Sequence, residues 1–269
     1  MSMPDVKKDI KAVVFDVDGT LYDYRNGCVP RSAIDAVACL KEKGYFVIIA
    51  TGRTMAMLNT QITGELDPDY YILSNGALVS DRNSLIFFSH PFTRKETNML
   101  VDMTLSHGGA MILKYQMENC IYFDYEAGRK LWDVGPGMVE ERTFFDKTHR
   151  THNRKLPIGI SVYGDGELKK EIRKVFRVDE FKDAHGLDVM REGVHKMAGL
   201  KRLLKGLGLG PENIIAFGDS GNDAQMITQA AIGVAMGNGK KELQQAADYV
   251  CPCSWEDGIA ESLHSLQLI

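Results

Sequence analysis

The sequence predicts an α/β protein built on a parallel sheet, with a separate α+β domain inserted into it. Three observations predict this. The runs "AVVFDVD", "YFVIIAT" and "NIIAFGD" are continuously apolar, as strands buried on both faces are. Helical patterns separate such runs in the first and last parts of the chain, and strand–helix–strand repeats give a parallel sheet. Between those parts the rhythm changes to paired strands around short polar turns, as hairpins require.

The elements follow in order. After "AVVFDVD", Pro30 opens a helix with Ile34, Val37, Ala38 and Leu40 on one side, and Gly44 closes it. "YFVIIAT" is the second strand, a helix is expected from about Thr54, and "YYILSNG" is the third strand. The middle region carries a helix near Arg94–His107, a hairpin of "AMILKY" and "CIYFDY", a strand in "LPIGISVYG", and a helix in "ELKKEIRKVF". That helix places Leu168, Ile172, Val175 and Phe176 opposite its charges. The segment 135–154 is charged and aperiodic and reads as a loop. The first rhythm then returns: a helix near Val194, "NIIAFGD", a helix in "NDAQMITQA", "IGVAMG", a helix near Lys240 and "DYVCPC". The expected division is a discontinuous core of residues 1–90 and 189–269 around an inserted domain of residues 91–188.

Composition narrows the function classes. The 269 residues are 44% hydrophobic and 25% charged, an ordinary globular profile. A formal net charge of -4 argues against nucleic acid as the main partner, which would need a basic face. The five cysteines are scattered and lack zinc spacing. The opening "MSMPDVKKDI" has no apolar leader, and no window reaches membrane-spanning length. A reducing, cytoplasmic compartment is therefore expected.

Four short stretches carry the chemistry: Asp16-Val17-Asp18-Gly19-Thr20, Thr51-Gly52-Arg53, Lys196, and "GDSGND" with Asp219, Asn222 and Asp223. Three of them directly follow apolar strands. The carboxyl ends of strands in an open parallel sheet form its ligand crevice, so the fold brings these stretches to one edge. Several carboxylates at one edge repel and raise each other's pKa. A hard divalent cation such as Mg²⁺ relieves that through oxygen ligands. A lysine, a threonine hydroxyl and exposed backbone N–H groups describe an anion site beside it. Together these point to phosphoryl transfer, with a carboxylate available as nucleophile.

These stretches, in this order, resemble the motifs of the haloacid dehalogenase (HAD) superfamily. "FDVDGT", "TGR", a lone Lys and "GDSGND…GVAMGN" are similar to its Cof-like phosphatase branch. The motifs cover the first and last parts of the chain; the middle matches in position and size. The resemblance implies a Rossmann-like HAD core with a cap domain inserted between Thr51 and Lys196. It implies Asp16 as nucleophile and Asp18 as the acid that protonates the leaving alcohol and then activates water. It implies Asp16, the backbone carbonyl of Asp18, and Asp219 as Mg²⁺ ligands, with Asp223 behind them. Thr51, Gly52, Lys196 and Asn222 would hold the phosphoryl group, and the substrate would be a small phosphorylated metabolite, such as a sugar phosphate or phosphorylated cofactor precursor. His195 and Met197 stand where the family often has a small residue and glycine, and Gly239 where alanine is common.

Other readings stay open on the sequence. The same scaffold serves phosphomutases and phosphotransferases, and a site kept only for Mg²⁺-dependent binding would make a phospho-ligand sensor. Arg53 reads either as a structural partner of nearby acids or as a substrate contact. His195 reads as a packing or solvent residue, and Asn75-Gly76 as a turn that ends a strand. Tyr115, Tyr122, Phe123 and Tyr125 read as hairpin core, with Trp132 and His152 as candidates for cap contacts.

Overall fold

The computed structural model describes residues 9–58, 63, 65–124, 142–180 and 186–269. In chain order, β1 (Ala12–Phe15), α1 (Arg31–Glu42), β2 (Phe46–Ala50), β3 (Tyr70–Leu73), β4 (Leu78–Asp81) and β5 (Ile86–Ser89) come first. The middle holds α2 (Arg94–Ser106), β6 (Ala110–Lys114), β7 (Asn119–Tyr122), β8 (Thr143–Phe145), β9 (Gly159–Tyr163), α3 (Gly166–Arg173), β10 (Arg177–Glu180) and β11 (Gly186–Met190). The chain then continues with α4 (Lys196–Gly206), β12 (Ile214–Gly218), α5 (Ala224–Gln229), β13 (Ile232–Ala235), α6 (Lys241–Ala246), β14 (Tyr249–Val250) and α7 (Gly258–Ser265).

Contacts divide the chain into two compact units, one of residues 1–52, 60–88 and 195–269, the other of 53–59 and 89–194. The second unit therefore claims the seven residues Arg53–Asn59, which the sequence reading assigned to the core. Of the helix expected from about Thr54, the described residues show a 3₁₀ turn at Met55–Met57 and a helical residue at Thr63; residues 59–62 and 64 lie outside the described residues.

In the first unit eight strands form one sheet in the order β14-β13-β12-β1-β2-β3-β4-β5. The strands from β14 to β3 pair in parallel, and β4 joins β3 antiparallel. This is the Rossmann-like core of the expected fold class. Val13 and Val14 of β1 are flanked by Ile215 and Ala216 on one side and by Val47 and Ile48 on the other. All six are buried, so β1 loses water on both edges and both faces. Helix α4 supplies Met197, Leu200, Leu203 and Leu204, a stripe at helical spacing, to the cluster that contains Val14, Ile48, Ile72 and Ala216. Full burial of each such leucine stabilises by about 1.5–3 kcal/mol. Helix α1 buries Ala33, Ala36, Val37 and Leu40. Ala38, expected on that stripe, is exposed.

The second unit is a six-stranded sheet in the order β10-β11-β9-β6-β7-β8, antiparallel except where β7 meets β8. Helix α2 begins on a capping box: the Glu96 N–H donates to Thr93 Oγ1 at 3.2 Å, and Glu96 Oε2 accepts from the Thr93 N–H at 2.7 Å. Met111, Leu113, Tyr115, Cys120 and Tyr122 pack with Leu100 of α2 and with Leu168 and Ile172 of α3. The hairpin aromatics Tyr115 and Tyr122 are thus core, and Phe123 packs beside them. The segment read as a loop contains a strand, β8, and a 3₁₀ turn at Thr151–Asn153 among its described residues. Its polar composition hid them: Asp146 accepts from the N–H groups of Thr148, Arg150 and Thr151, which organises the turn from a side chain. Tyr125 and Trp132 lie outside the described residues. Among the described residues, no helix is long and apolar enough to cross a membrane.

Candidate active site

β1 and β12 lie side by side, so the residues that follow them meet at one sheet edge. Asp16 follows β1 and Asp219 follows β12. Asp223 lies in the 3₁₀ turn Gly221–Asp223 that leads into α5. Lys196 is the first residue of α4. Its Nζ donates to Asp16 Oδ1 at 2.5 Å and to Asp223 Oδ1 at 2.6 Å. All three groups are buried, and one ammonium serves two carboxylates.

Burial, and then the Asp223 charge, hold the Asp16 carboxyl well above the usual carboxylate range, with Asp219 and Asp18 adding to this and Lys196 opposing it. Burial pushes the Lys196 ammonium down, but Asp16 and Asp223 together outweigh it and raise its pKa. Lys196 is thus shared by Asp16 and Asp223, and the charges of Asp219 and Asp18 add to those around Asp16.

Two oxygens decide which acids are available to a metal. Asp223 spends both of its own: Oδ1 on Lys196, and Oδ2 on the N–H groups of Asp219 (3.1 Å) and Ser220 (3.0 Å). It can therefore orient a site without joining it directly. Asp16 keeps Oδ2 beyond its bond to Lys196. Asp16, Asp219 and Asp223 bring ligand atoms within 4.8 Å of one another. Gly19 (φ +80°) leaves this space open, since a Cβ there would sit 2.6 Å from Asp219 Oδ2. An all-oxygen donor set with surplus negative charge fits Mg²⁺.

Asp18 lies in a different setting. It is half-buried, and Tyr24 Oη donates to its Oδ1 at 2.6 Å. Thr51 is buried at the end of β2, and its carbonyl accepts the Asn75 N–H at 3.0 Å. Gly52 faces Asn75, whose amide atoms lie 3.3–3.4 Å from where a Cβ would stand. Asn222 donates from Nδ2 to Asn75 Oδ1 at 3.0 Å and accepts from Ser220 Oγ at 2.7 Å. The first unit therefore holds Asp16, Asp18, Thr51, Gly52, Lys196, Asp219, Asn222 and Asp223, while Arg53 falls in the second unit and donates to the Met57 carbonyl at 3.4 Å.

Three residues have supporting roles that the sequence reading did not give them. His195 accepts the Ala198 N–H on Nδ1 at 3.1 Å, so it caps the helix that carries Lys196. Asn75 is the hub between Thr51 and Asn222, and the signal for it is its left-handed backbone (φ 55°), a conformation asparagine tolerates. Asn238 donates to the Gly19 carbonyl at 2.7 Å and accepts the Ser254 N–H at 2.8 Å, which ties the loop after β13 to the turn after β1. The "MGNG" stretch was its visible sign.

A family model for haloacid dehalogenase-like hydrolases matches residues 13–263. The chain belongs to this family. It is an enzyme, a hydrolase of the haloacid dehalogenase type. A 5-amino-6-(5-phospho-D-ribitylamino)uracil phosphatase of Bacillus subtilis is 28% identical over 267 residues, covering 98% of each chain. A Streptococcus pyogenes protein, whose name pairs a phosphatase with a peptidyl-prolyl cis-trans isomerase, is 31% identical; the match covers 97% of this chain and 55% of that protein's length. Among solved structures, a sugar phosphatase of HAD subclass IIB superposes with a TM-score of 0.82 at 28% identity, covering 96% of this chain and 100% of that one.

Proposed function

We propose that this hydrolase is a Mg²⁺-dependent phosphatase of small phosphate monoesters, sugar phosphates or phosphorylated cofactor precursors, working through an aspartyl-phosphate on Asp16. The observation that carries the reading is the contrast between its two leading acids. Asp16 is buried against Lys196, whereas Asp18, two residues on, is half-buried with a phenol on one oxygen. The contrast supports Asp16 as the group that attacks and Asp18 as the one that exchanges protons.

In the proposed reaction Asp16 attacks phosphorus, the bond to the ester oxygen breaks, and Asp18 gives its proton to that oxygen. Water then attacks the phosphorus of the aspartyl-phosphate and loses a proton to Asp18. Phosphate leaves and the Asp16 carboxylate is restored. Thr51, the Gly52 N–H, Lys196 and Asn222 hold the phosphoryl oxygens. Asp16, the Asp18 carbonyl and Asp219 would hold Mg²⁺, with Asp223 fixing Lys196 and the Asp219 backbone. The bound cation would supply charge neutralisation at the phosphoryl group. The inserted domain, read from the sequence as residues 91–188, would supply leaving-group contacts. The relatives' names support phosphatase chemistry on phosphorylated small molecules.

The test is phosphate release from a metabolite panel with and without Mg²⁺, by the native protein and by Asp16→Asn. A folded Asp16→Asn protein that keeps substantial turnover removes Asp16 as nucleophile.

A further inference from the structure

The turn that follows β1 holds a phenol against Asp18. Asp23 builds that turn. It is buried, its N–H donates to the Cys28 carbonyl at 2.9 Å, and its carboxylate accepts the Arg25 N–H at 2.9 Å and the Asn26 side-chain amide at 2.6 Å. A turn centred on an aspartate side chain in this way fixes the backbone on either side of Tyr24. The Arg25 guanidinium lies 3.3 Å from the centre of the Trp255 ring, which ties the turn to the C-terminal part of the same unit. The Tyr24 ring meets the buried Tyr22 ring edge-on, with centroids 5.2 Å apart and planes at 82°.

Backbone and ring are thus set from their own side of the bond. Tyr24 Oη donates to Asp18 Oδ1 at 2.6 Å, the length of a hydrogen bond to a charged oxygen. Tyr24 is 53% exposed. Water competes for both partners at such a place, so the bond contributes little to folding. Its effect is geometric. The terminal torsion of an aspartate is broad, and a phenol held from elsewhere narrows it. The phenol also distinguishes the two oxygens. An oxygen that bears a proton is a weaker acceptor than its carbonyl twin, so a donor on Oδ1 directs the carboxyl proton to Oδ2.

We propose that Tyr24 is a positioning residue for the reaction: its phenol fixes Oδ1 of Asp18 and so aims Oδ2 as the oxygen through which protons pass. This rests on the phosphatase reading above, in which Asp18 protonates the leaving oxygen. When the ester bond breaks, its electron pair stays on that oxygen and the Oδ2 proton moves to it. A carboxyl with a wider range of orientations presents that proton in the productive direction for less of the time.

The test compares two esters in single turnovers, with the full-chain enzyme in excess and Mg²⁺ present. Phenyl phosphate has a leaving oxygen that needs the proton; dinitrophenyl phosphate releases a stabilised phenolate that does not. Tyr24→Phe keeps the ring against Tyr22 and removes only the hydroxyl. It should slow phenol release from phenyl phosphate about tenfold and slow release from the dinitrophenyl ester by less than about twofold. Made on top of Asp18→Ala, the same substitution should add no further contrast between the esters, because the phenol acts through Asp18. Equal losses on both esters, no loss on either, or a selective loss that persists without Asp18 overturns the assignment and leaves the phosphatase reading standing. A native protein that turns over neither ester removes the phosphatase reading, and the role of Tyr24 falls with it.

Discussion

The Asn222 amide donates to Asn75 Oδ1 at 3.0 Å across 147 residues of sequence. The bond joins the turn after β3 to the turn after β12, which are separated in the sheet by β2 and β1. Asn75 also donates its N–H to the Thr51 carbonyl at 3.0 Å, so three motif-bearing turns share one residue.

Replacing Asn75 separates its two roles. Asn75→Gly keeps the left-handed backbone and removes the bond to Asn222; Asn75→Ala removes the bond and strains the backbone by about 1–2 kcal/mol. Both variants should lose phosphate release. In urea unfolding Asn75→Ala should be the less stable of the two, the reverse of ordinary alanine–glycine preference. Equal midpoints would remove the backbone argument.

Gly76 (φ +97°) packs against the start of α4: a Cβ there would lie 2.3 Å from the His195 carbonyl oxygen. Gly76→Ala should displace the first turn of α4 and, with it, Lys196. We expect a fall in kcat of about tenfold or more, since small misplacements of catalytic groups have effects on this scale. Full activity in a crystal-verified variant with unmoved Lys196 would show that the turn yields elsewhere.

The crowded carboxylates predict opposite responses to charge removal with and without metal. In metal-free protein Asp16→Asn removes a buried charge that Asp223, Asp219 and Asp18 disfavour, and the melting transition should rise by about 2–4 °C. Mg²⁺ should stabilise native protein and fail to stabilise Asp219→Asn or Asp16→Asn. Differential scanning fluorimetry across a Mg²⁺ series reads both effects.

His152 sets a pH response in the second unit. It is buried, its Nδ1 lies 2.9 Å from Tyr122 Oη, and its N–H donates to the same oxygen at 3.0 Å. Burial, then the Arg94 charge, lower its pKa below the usual histidine value of 6.5. The unfolded chain therefore binds the proton more readily. The neutral ring's contribution is complete above 6.5 and is lost as pH falls through the window from 6.5 down to the lowered folded value. Melting at pH 7 and pH 5 should show a drop in native protein that is smaller in His152→Gln.

How much of this was legible follows from what each residue needs. Asp16, Asp219 and Asp223 were legible because an apolar strand leading into acids is a local pattern, and the parallel sheet then brings strand ends together. Lys196 was legible only by its order among the motifs, since a helix-opening lysine is ordinary in isolation. The cap that His195 places on the helix of Lys196 was not legible, because capping by a ring nitrogen leaves no mark in sequence. The bond from Tyr24 to Asp18 depends on how the chain turns between them. Strand β8 was missed because its three residues are too few for a periodicity to show.

The pairing of β1 with β12 also has a meaning for synthesis. The central strand of the first unit emerges from the ribosome early, yet one of its two neighbours is made roughly 200 residues later, about ten seconds or more at ordinary elongation rates. Until then an apolar edge stands open. Residues 53–59 and 89–194, the whole of the second unit, are made in that interval. A nascent chain stalled before β12 is thus the species most exposed to strand-edge aggregation, and the one a chaperone would be expected to hold.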